Sequence, residues 1–253
     1  MSERFYINGP LSPGPTTLDG PEAHHLAGVC RLRAGDLVTL FNGDGQEYPA
    51  RLIYVDRRHV DLEITDRLSP TRELAFPLEL AAPIPKGDRG QFLIEKLTEL
   101  GVTTFVPLSC QHSVIHPREA KLDKLRRYVI EASKQCGRNT LMDVNEPMAW
   151  TEYCTQQIGP GELRILAHPA KADERLRKGF ITSGKEPAPR RLAVGPEGGF
   201  TLAEVDLAVG AGWQTMDLGP RILRIETAAL VLAAWFGAVS FSRDAIAERG
   251  TPG

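Results

Sequence analysis

The sequence predicts an α/β protein, with a mostly parallel sheet flanked by helices and a small amino-terminal β-barrel or sandwich. Two observations support this. Up to about Pro70 the chain has short strand-like segments separated by turn formers. From Pro77 onward, apolar strands alternate with helical periods, which is typical of a parallel sheet covered by helices. We therefore predict two domains, residues 1–71 and residues 72–253.

The amino-terminal domain contains three predicted strands. Residues 38–41 and 51–55 are separated by the turn formers Asn42-Gly43-Asp44-Gly45. In residues 60–64, Val60, Leu62 and Ile64 alternate with polar side chains, which indicates a half-buried strand. This pattern favours a small barrel or sandwich.

The second domain has five predicted strands and four predicted helices. The strands are residues 78–82, 105–108, 163–167, 192–194 and 215–218. The helices are residues 88–100, residues 118–136, a helix beginning after Thr201, and residues 228–239. The last helix is apolar on nearly every face, yet it is shorter than the roughly 20 residues that cross a bilayer. It is therefore expected in the core or against a second subunit.

Composition narrows the functional classes. The chain has 253 residues, a formal net charge of −2 and a pI near 6.3, which exclude a strongly basic overall surface. Any nucleic-acid binding must therefore use local positive charge. The four cysteines are far apart and show no C-x-x-C spacing, which predicts reduced thiols and no metal site. No secretory signal is recognisable at the start, so we expect a cytoplasmic protein without a membrane segment.

Three loops follow apolar strands: residues 167–170, 195–200 and 218–227. In open α/β sheets, ligands bind beyond the carboxyl ends of the strands, so these loops are expected to form one site. The second loop contains three glycines, which leave main-chain amides open to a ligand. Thr201 and Glu204 then have the spacing of a capping box. The spacing of the glycines in the second loop matches neither a dinucleotide-binding loop nor a P-loop.

Arg221, Arg224 and Glu226 are the strongest candidates for chemistry. An arginine stays protonated and can hold a developing anion through two parallel hydrogen bonds. The alternative is a solvated salt-bridge cluster. His168, at a strand end, is either a packing residue or a base. Cys136 is disfavoured as a nucleophile because it lies at the carboxyl-terminal end of a predicted helix, where the negative end of the helix dipole destabilises a thiolate.

Several motifs resemble those of the RsmE family, bacterial 16S rRNA (uridine-1498, N3) methyltransferases of the SPOUT superfamily. They are Pro85-Lys86-Gly87-Asp88-Arg89, Gln135-Cys136-Gly137-Arg138-Asn139, Gly195-Pro196-Glu197-Gly198-Gly199, and Leu218-Gly219-Pro220-Arg221-Ile222-Leu223-Arg224 with Glu226-Thr227. Near the start, Arg4-Phe5-Tyr6, His24-His25-Leu26 and Arg31-Leu32-Arg33 resemble the family's PUA-like RNA-binding barrel. His112 stands where the family usually has an arginine before Ser-Val.

The resemblance implies an S-adenosylmethionine-dependent homodimer whose SPOUT domain contains a trefoil knot. It implies 16S rRNA, free or in the small ribosomal subunit, as the partner, and it requires no metal. The implied cofactor-binding residues are Leu166, Ala167, His168, Pro169, Val194, Gly195, Pro196, Glu197, Gly198, Gly199, Leu218, Gly219, Pro220, Ile222 and Leu223. The implied RNA-binding residues are Arg4, Arg31, Arg33, Lys134 and Arg138.

For the reaction we expect Arg221 or Arg224 to stabilise the uracil anion. We expect Glu226 to orient that arginine or to take the proton. Two alternatives stay open at this point: a SPOUT methyltransferase that modifies another RNA position, and a non-catalytic RNA-binding module with the same fold.

Overall fold

The computed structural model describes residues 3–70, 72–113, 122–169 and 188–238. The chain divides into two compact units. The first comprises Met1–Glu73 and Ile130–Leu141, and the second comprises Leu74–Val129 and Met142–Gly253. The stretch Ile130–Leu141 therefore belongs with the amino-terminal β unit, although it lies within the α/β half of the sequence.

The first unit is built on a five-stranded sheet with the order β1-β3-β4-β5-β2. Its strands are β1 (Arg4–Tyr6), β2 (Gly14–Asp19), β3 (Leu37–Phe41), β4 (Tyr48–Val55) and β5 (His59–Ile64). Strand β1 pairs with β3 in parallel, and the other pairs are antiparallel. The three predicted strands are confirmed as β3, β4 and β5, whereas β1 and β2 escaped prediction.

A single core holds this sheet together. Alternate residues of the strands point inward, and the short helix α1 (Gly20–His24) with the π-helical turn His25–Val29 covers them. Leu26 of that turn is fully buried among Phe5, Leu40 and Leu62. Apolar burial of this kind stabilises a fold by roughly 25 cal/mol per Å².

The predicted turn between β3 and β4 is confirmed. The Asn42 side-chain oxygen accepts a hydrogen bond from the Asp44 amide at 3.2 Å, and the Asp44 side chain accepts one from the Gln46 amide at 2.8 Å. Gly43 has a φ of 93°, a conformation that L side chains rarely adopt. The turn residues thus fix the antiparallel pairing of β3 with β4.

The second unit is a seven-stranded sheet with the order β12-β10-β11-β6-β7-β8, and β9 also pairs with β7. Its strands are β6 (Leu78–Ala82), β7 (Thr104–Ser109), β8 (Asp143–Val144), β9 (Met148–Ala149), β10 (Leu163–Ala167), β11 (Arg190–Val194) and β12 (Gln214–Met216). All pairs among these described strands are parallel, so the predicted fold class is confirmed.

Within the described ranges, five helices accompany this sheet: α2 (Asp88–Glu99), α3 (Leu122–Cys136), α4 (Trp150–Cys154), α5 (Leu202–Gly210) and α6 (Ile225–Ala238). The last one begins at Ile225 rather than at the predicted residue 228. The predicted positions 118–121 of α3 and 239 of α6 lie outside the described residues. The carboxyl-terminal part of α3 belongs to the first unit.

Helix α6 packs on β6 and β11 and against α2. Leu232 and Phe236 of this helix are fully buried, which confirms its predicted place in the core. Helices α4 and α5 pack together around Trp150, whose ring centroid lies 4.5 Å from that of Phe200 and 5.4 Å from that of Trp213. Among the described helices none is long and apolar enough to cross a membrane.

Candidate active site

The three predicted loops meet at one edge of the parallel sheet. Strands β12, β10 and β11 are neighbours, and Ala167 at the end of β10 is in register with Val194 and with Met216. Their carboxyl ends therefore lie side by side. A cavity of about 460 Å³ opens there. Its lining residues are Ala167, His168, Pro169, Val194, Gly195, Pro196, Glu197, Gly198, Gly199, Phe200, Asp217, Leu218, Gly219, Pro220, Arg221, Ile222, Leu223, Ile225 and Ala228.

The glycine turn, residues 195–200, forms one side of this cavity. A Cβ atom on Gly195 would lie 2.9 Å from Cδ2 of Phe200, and one on Gly198 would lie 3.0 Å from Cβ of His112. Gly199 has a φ of 72°, and its amide donates to the Pro196 carbonyl at 2.8 Å. The turn thus requires glycine, both for conformation and because neighbouring side chains approach closely.

A capping box anchors the turn to α5. The Thr201 hydroxyl accepts a hydrogen bond from the Glu204 amide at 3.2 Å, and the Glu204 carboxylate accepts one from the Thr201 amide at 2.8 Å. This confirms the predicted helix start. The same carboxylate accepts a hydrogen bond from the Gln111 amide at 2.9 Å, so it also holds the loop that follows β7. The sequence pattern gave no sign of this second role.

The loop after β12 forms the opposite side of the cavity. The Asp217 side chain accepts a hydrogen bond from the Gly219 amide at 2.8 Å, and Gly219 has a φ of 107°. Ile222 is fully exposed in this structure. Ile225 and Ala228 of α6 add apolar surface, and neither was among the predicted cofactor-binding residues.

His168, in the loop after β10, and Leu166, inside β10, differ in their relation to the cavity. The His168 amide donates to the Met216 carbonyl at 3.0 Å, and the residue lines the cavity. Partial burial lowers the pKa of His168, so the ring is uncharged near neutral pH. Leu166, in contrast, is fully buried in the core and does not line the cavity. Its predicted cofactor contact stays a prediction.

The three predicted catalytic residues occupy different positions. Arg221 lines the cavity, whereas Arg224 is exposed just before α6 and Glu226 is buried in the first turn of α6. Within the described residues, the ion pair of Glu226 is with Arg89 of α2, at 3.8 Å, and not with Arg221 or Arg224. Oε2 of Glu226 has no hydrogen-bond partner among them.

Arg89 is a charged neighbour of the site that the sequence reasoning missed. It also lies 3.8 Å from Glu197 of the glycine turn. Its motif, Pro85-Lys86-Gly87-Asp88-Arg89, was part of the family resemblance, but spacing alone could not connect it to residues more than a hundred positions later. Among the described residues, no group of three His, Cys, Asp or Glu side chains could hold a metal ion.

The predicted RNA-binding residues, all in the first unit, fall into two groups. Arg31 and Arg33 are exposed, and Arg31 has a φ of 56°. The other three are held in ion pairs: Arg4 with Glu47, Lys134 with Glu22 and Glu131, and Arg138 with Glu73. An RNA phosphate could reach the second group only in competition with these carboxylates.

Comparison with known proteins connects this geometry to a family. The family described as RNA methyltransferase domain matches residues 72–237, and the family described as RNA methyltransferase PUA domain matches residues 18–65. Ribosomal RNA small subunit methyltransferase E of Synechocystis sp. is 34% identical, over 88% of this chain and 73% of its own. The Bacillus subtilis protein of the same name is 30% identical, over 90% of this chain and 93% of its own.

Solved structures agree with these matches. A Legionella pneumophila protein solved in complex with the bound cofactor SAM has a TM-score of 0.85 and 31% identity, and the alignment covers 94% of this chain and 98% of that one. Ribosomal RNA small subunit methyltransferase E of Neisseria gonorrhoeae, solved bound to S-adenosyl methionine, has a TM-score of 0.82 and 29% identity, with 92% and 96% coverage.

The parallel sheet with its loop-lined cavity and the PUA domain define an RNA methyltransferase. The particular family follows from the relatives that align along nearly the whole chain. This chain belongs to the RsmE family, ribosomal RNA small subunit methyltransferase E, which confirms the resemblance seen in the motifs.

Proposed function

We propose that this protein methylates N3 of the uridine at position 1498 of 16S rRNA, with S-adenosylmethionine as the methyl donor. The single observation that carries the proposal is the cavity formed by the three loops at the carboxyl edge of the parallel sheet. Two of its similar structures were solved with SAM bound. The relatives' names refer to small-subunit ribosomal RNA, which supports the choice of partner and a cytoplasmic place of action.

The residues of the cavity fit this cofactor. Its volume of about 460 Å³ lies within the range of roughly 300–1,000 Å³ that is typical of small-molecule sites. The glycine turn offers main-chain amides that are not covered by a side chain of their own residue. Ile225 and Ala228 offer an apolar surface for a purine ring. The cofactor would supply an electrophilic methyl group on a cationic sulfonium. Because burial keeps the His168 ring uncharged, that ring does not repel the cation.

The acceptor nitrogen of uracil carries a proton that must leave before or during methyl transfer. Negative charge then develops on the uracil carbonyl oxygens. Arg221 lines the cavity and makes no ion pair within the described residues, so its guanidinium can donate hydrogen bonds to these oxygens. Arg224 is the second candidate because it is exposed beside the same loop. Glu226 does not line the cavity and pairs with Arg89, so its part is to position that cation, and the N3 proton is released to water.

Exposed arginines of the first unit provide the RNA contacts in this proposal. Arg31 and Arg33 carry phosphate contacts, assisted by the exposed Arg51, Arg57 and Arg58. Arg4, Lys134 and Arg138 support that surface through their ion pairs. The overall charge of −2 makes such local clusters necessary.

We also propose a homodimer. Val231 and Trp235, four residues apart on α6, are partly exposed, and so is Phe92 on the neighbouring helix α2. Exposed aromatic side chains on two helices that pack together favour burial against a protein partner. A second copy of this chain is the occupant we expect. Sedimentation analysis of Trp235→Glu should then show monomers at concentrations at which the unaltered protein is dimeric.

The activity test uses small ribosomal subunits from a strain that lacks this methyl group. With Arg221→Ala we expect turnover to fall about 10²–10³-fold, as when a charge-stabilising donor is removed, with donor affinity within about threefold. The control is Lys96→Gln, which removes a cation from the exposed side of α2 and should keep wild-type turnover. If Arg221→Ala and Arg224→Ala each methylated the subunits at the wild-type rate, the assigned chemistry would be wrong.

Calorimetry with S-adenosylmethionine tests the cavity itself. We expect saturable binding of one donor per chain, and weakened binding when the glycine turn is altered. No heat of binding at millimolar donor would contradict the proposal and would favour a non-catalytic RNA-binding module.

A further inference from the structure

A single guanidinium lies between two carboxylates that belong to different elements of the second unit. Arg89 is in the first turn of α2. Its Nη2 lies 3.8 Å from Oε1 of Glu197, and its Nη1 lies 3.8 Å from Oε2 of Glu226. Glu197 belongs to the glycine turn, and Glu226 to the first turn of α6. These two carboxylates are 29 positions apart in the sequence, and Arg89 precedes both by more than a hundred.

Charge, rather than hydrogen bonding, holds this arrangement. A separation of 3.8 Å is longer than the 2.7–3.2 Å of an N–H···O hydrogen bond. The Glu226 side chain is only 8% exposed, and its Oε2 lacks a hydrogen-bond partner among the described residues. A buried carboxylate needs a compensating charge, which Arg89 provides here. The side chains of Arg89 and Glu197 are 36% and 42% exposed, so this second pair is accessible to water.

The two carboxylates differ in their relation to the cavity. Glu197 lines it, whereas Glu226 does not, although Ile225 and Ala228 on either side of Glu226 in α6 do. On a helix, residues three apart share a face, so Ile225 and Ala228 point to the cavity while Glu226 points away from their face. Glu226 therefore influences the cavity through the position of α6.

We propose that Arg89 is a positioning residue for methyl transfer, because it couples the glycine turn to the start of α6 through Glu197 and Glu226. The two elements that it connects carry residues on both sides of the donor cavity. Fixing their separation sets where the donor lies relative to Arg221. This proposal rests on the proposed function of the cavity and adds to it a residue that does not line the cavity.

An ordinary surface ion pair would behave differently. Exposed pairs contribute about 0–1 kcal/mol to stability, and their loss leaves ligand binding unchanged. A positioning residue, in contrast, changes both donor affinity and the rate of the chemical step, because misplaced reacting atoms react more slowly. The two roles are separated by measuring binding, single-turnover rate and thermal stability on the same variants.

The test compares Arg89→Gln, Arg89→Lys and Glu197→Gln in the full chain. We expect Arg89→Gln to raise the calorimetric Kd for S-adenosylmethionine about fivefold and to lower the single-turnover rate at saturating donor about tenfold. Arg89→Lys should recover part of both losses, because it retains a charge but not the two-armed reach of a guanidinium. Lys96→Gln, a cation of the same helix, is the control and should match the wild type.

A double-variant cycle identifies the partner. If the bridge exists, adding Glu197→Gln to Arg89→Gln should weaken donor binding less than Glu197→Gln does alone. Additive losses, or an Arg89→Gln variant with both Kd and single-turnover rate within twofold of wild type, would overturn the proposal. If Arg89→Gln fails to fold, Arg89→Lys and Glu197→Gln supply the same comparison. Failure of the wild-type protein to bind the donor would instead overturn the proposed function.

Discussion

Gly195 and Phe200 lie so close together that a Cβ atom on Gly195 would be 2.9 Å from Cδ2 of the phenyl ring and 3.2 Å from the Phe200 amide nitrogen. Phe200 cannot move away easily, because it is buried and packs on Trp150 with 4.5 Å between ring centroids. The apolar core thereby fixes the path of the glycine turn, and the turn in turn shapes the donor cavity.

Gly195→Ala should therefore both destabilise the protein and weaken donor binding. Overpacking of a filled core typically costs about 1–3 kcal/mol, and we expect a loss of this size in the free energy of unfolding, measured with urea. Gly210→Ala is the matched control, since nothing lies within 4 Å of its Cβ position and its φ is not positive. Equal stability of the two variants would show that the contact with Phe200 is relaxed without cost.

The capping box at Thr201 predicts a smaller and separable effect. Thr201→Ala removes the acceptor for the Glu204 amide and should lower the free energy of unfolding by about 1 kcal/mol. Thr201→Ser keeps the hydroxyl and should restore most of the loss. Urea denaturation of the two variants checks this, and a Ser variant as unstable as the Ala variant would rule out the cap as the cause.

Glu47 makes the first unit sensitive to acid. Burial raises the pKa of Glu47, but hydrogen bonds and charge from Arg72 and Arg4 outweigh burial and bring it below its ordinary value of 4.5. A carboxylate with a depressed pKa contributes stability above its unfolded pKa, and this contribution is lost as the pH falls through the folded pKa.

At pH 7 the free energy of unfolding, measured with urea, should therefore be larger for the wild type than for Glu47→Gln. This difference should shrink as the pH falls below about 4, near the ordinary pKa of a glutamate. Glu63→Gln, an exposed carboxylate of β5, should show little of this pH dependence. A constant difference between wild type and Glu47→Gln from pH 7 to pH 3 would contradict the assignment.

Much of the second unit could be predicted from its sequence. Strands β6 and β10 begin and end at the predicted residues, because four of the five residues in each are apolar, as is typical of buried parallel strands. Strands β1 and β2 were missed, since β1 is short and β2 is rich in Thr, Gly and Pro. The trefoil knot stays a prediction of the resemblance, because threading of the chain leaves no local pattern.

The candidate site could also be predicted only in part. Loop convergence could be predicted, since it follows from parallel strand order. The Arg89 bridge could not, because it depends on how α2 packs beside α6. The sequence also could not show that Arg4 forms an ion pair with Glu47, and Arg138 with Glu73. These pairs form between distant segments of one unit.

The salt dependence of RNA binding tests the proposed contacts of Arg31 and Arg33 with phosphates. Each phosphate contact contributes about 0.7–0.9 to the slope of log K against log salt concentration. Arg31→Ala and Arg33→Ala should each weaken RNA binding and reduce this slope by nearly one, as measured by fluorescence anisotropy with a labelled rRNA fragment. Lys96→Ala, in the second unit, should leave the slope unchanged. Unchanged slopes in both arginine variants would place the phosphate contacts elsewhere.

Mapping the methylated nucleoside tests the proposed reaction at its acceptor atom. Purified protein is incubated with isotope-labelled S-adenosylmethionine and small ribosomal subunits that lack the modification, and the 16S rRNA is digested and analysed by mass spectrometry. We expect one labelled 3-methyluridine, at position 1498, and labelling that is about 10²–10³-fold slower with Arg221→Ala. Label on another base or on a ribose hydroxyl, or no label despite donor binding, would contradict the proposed reaction.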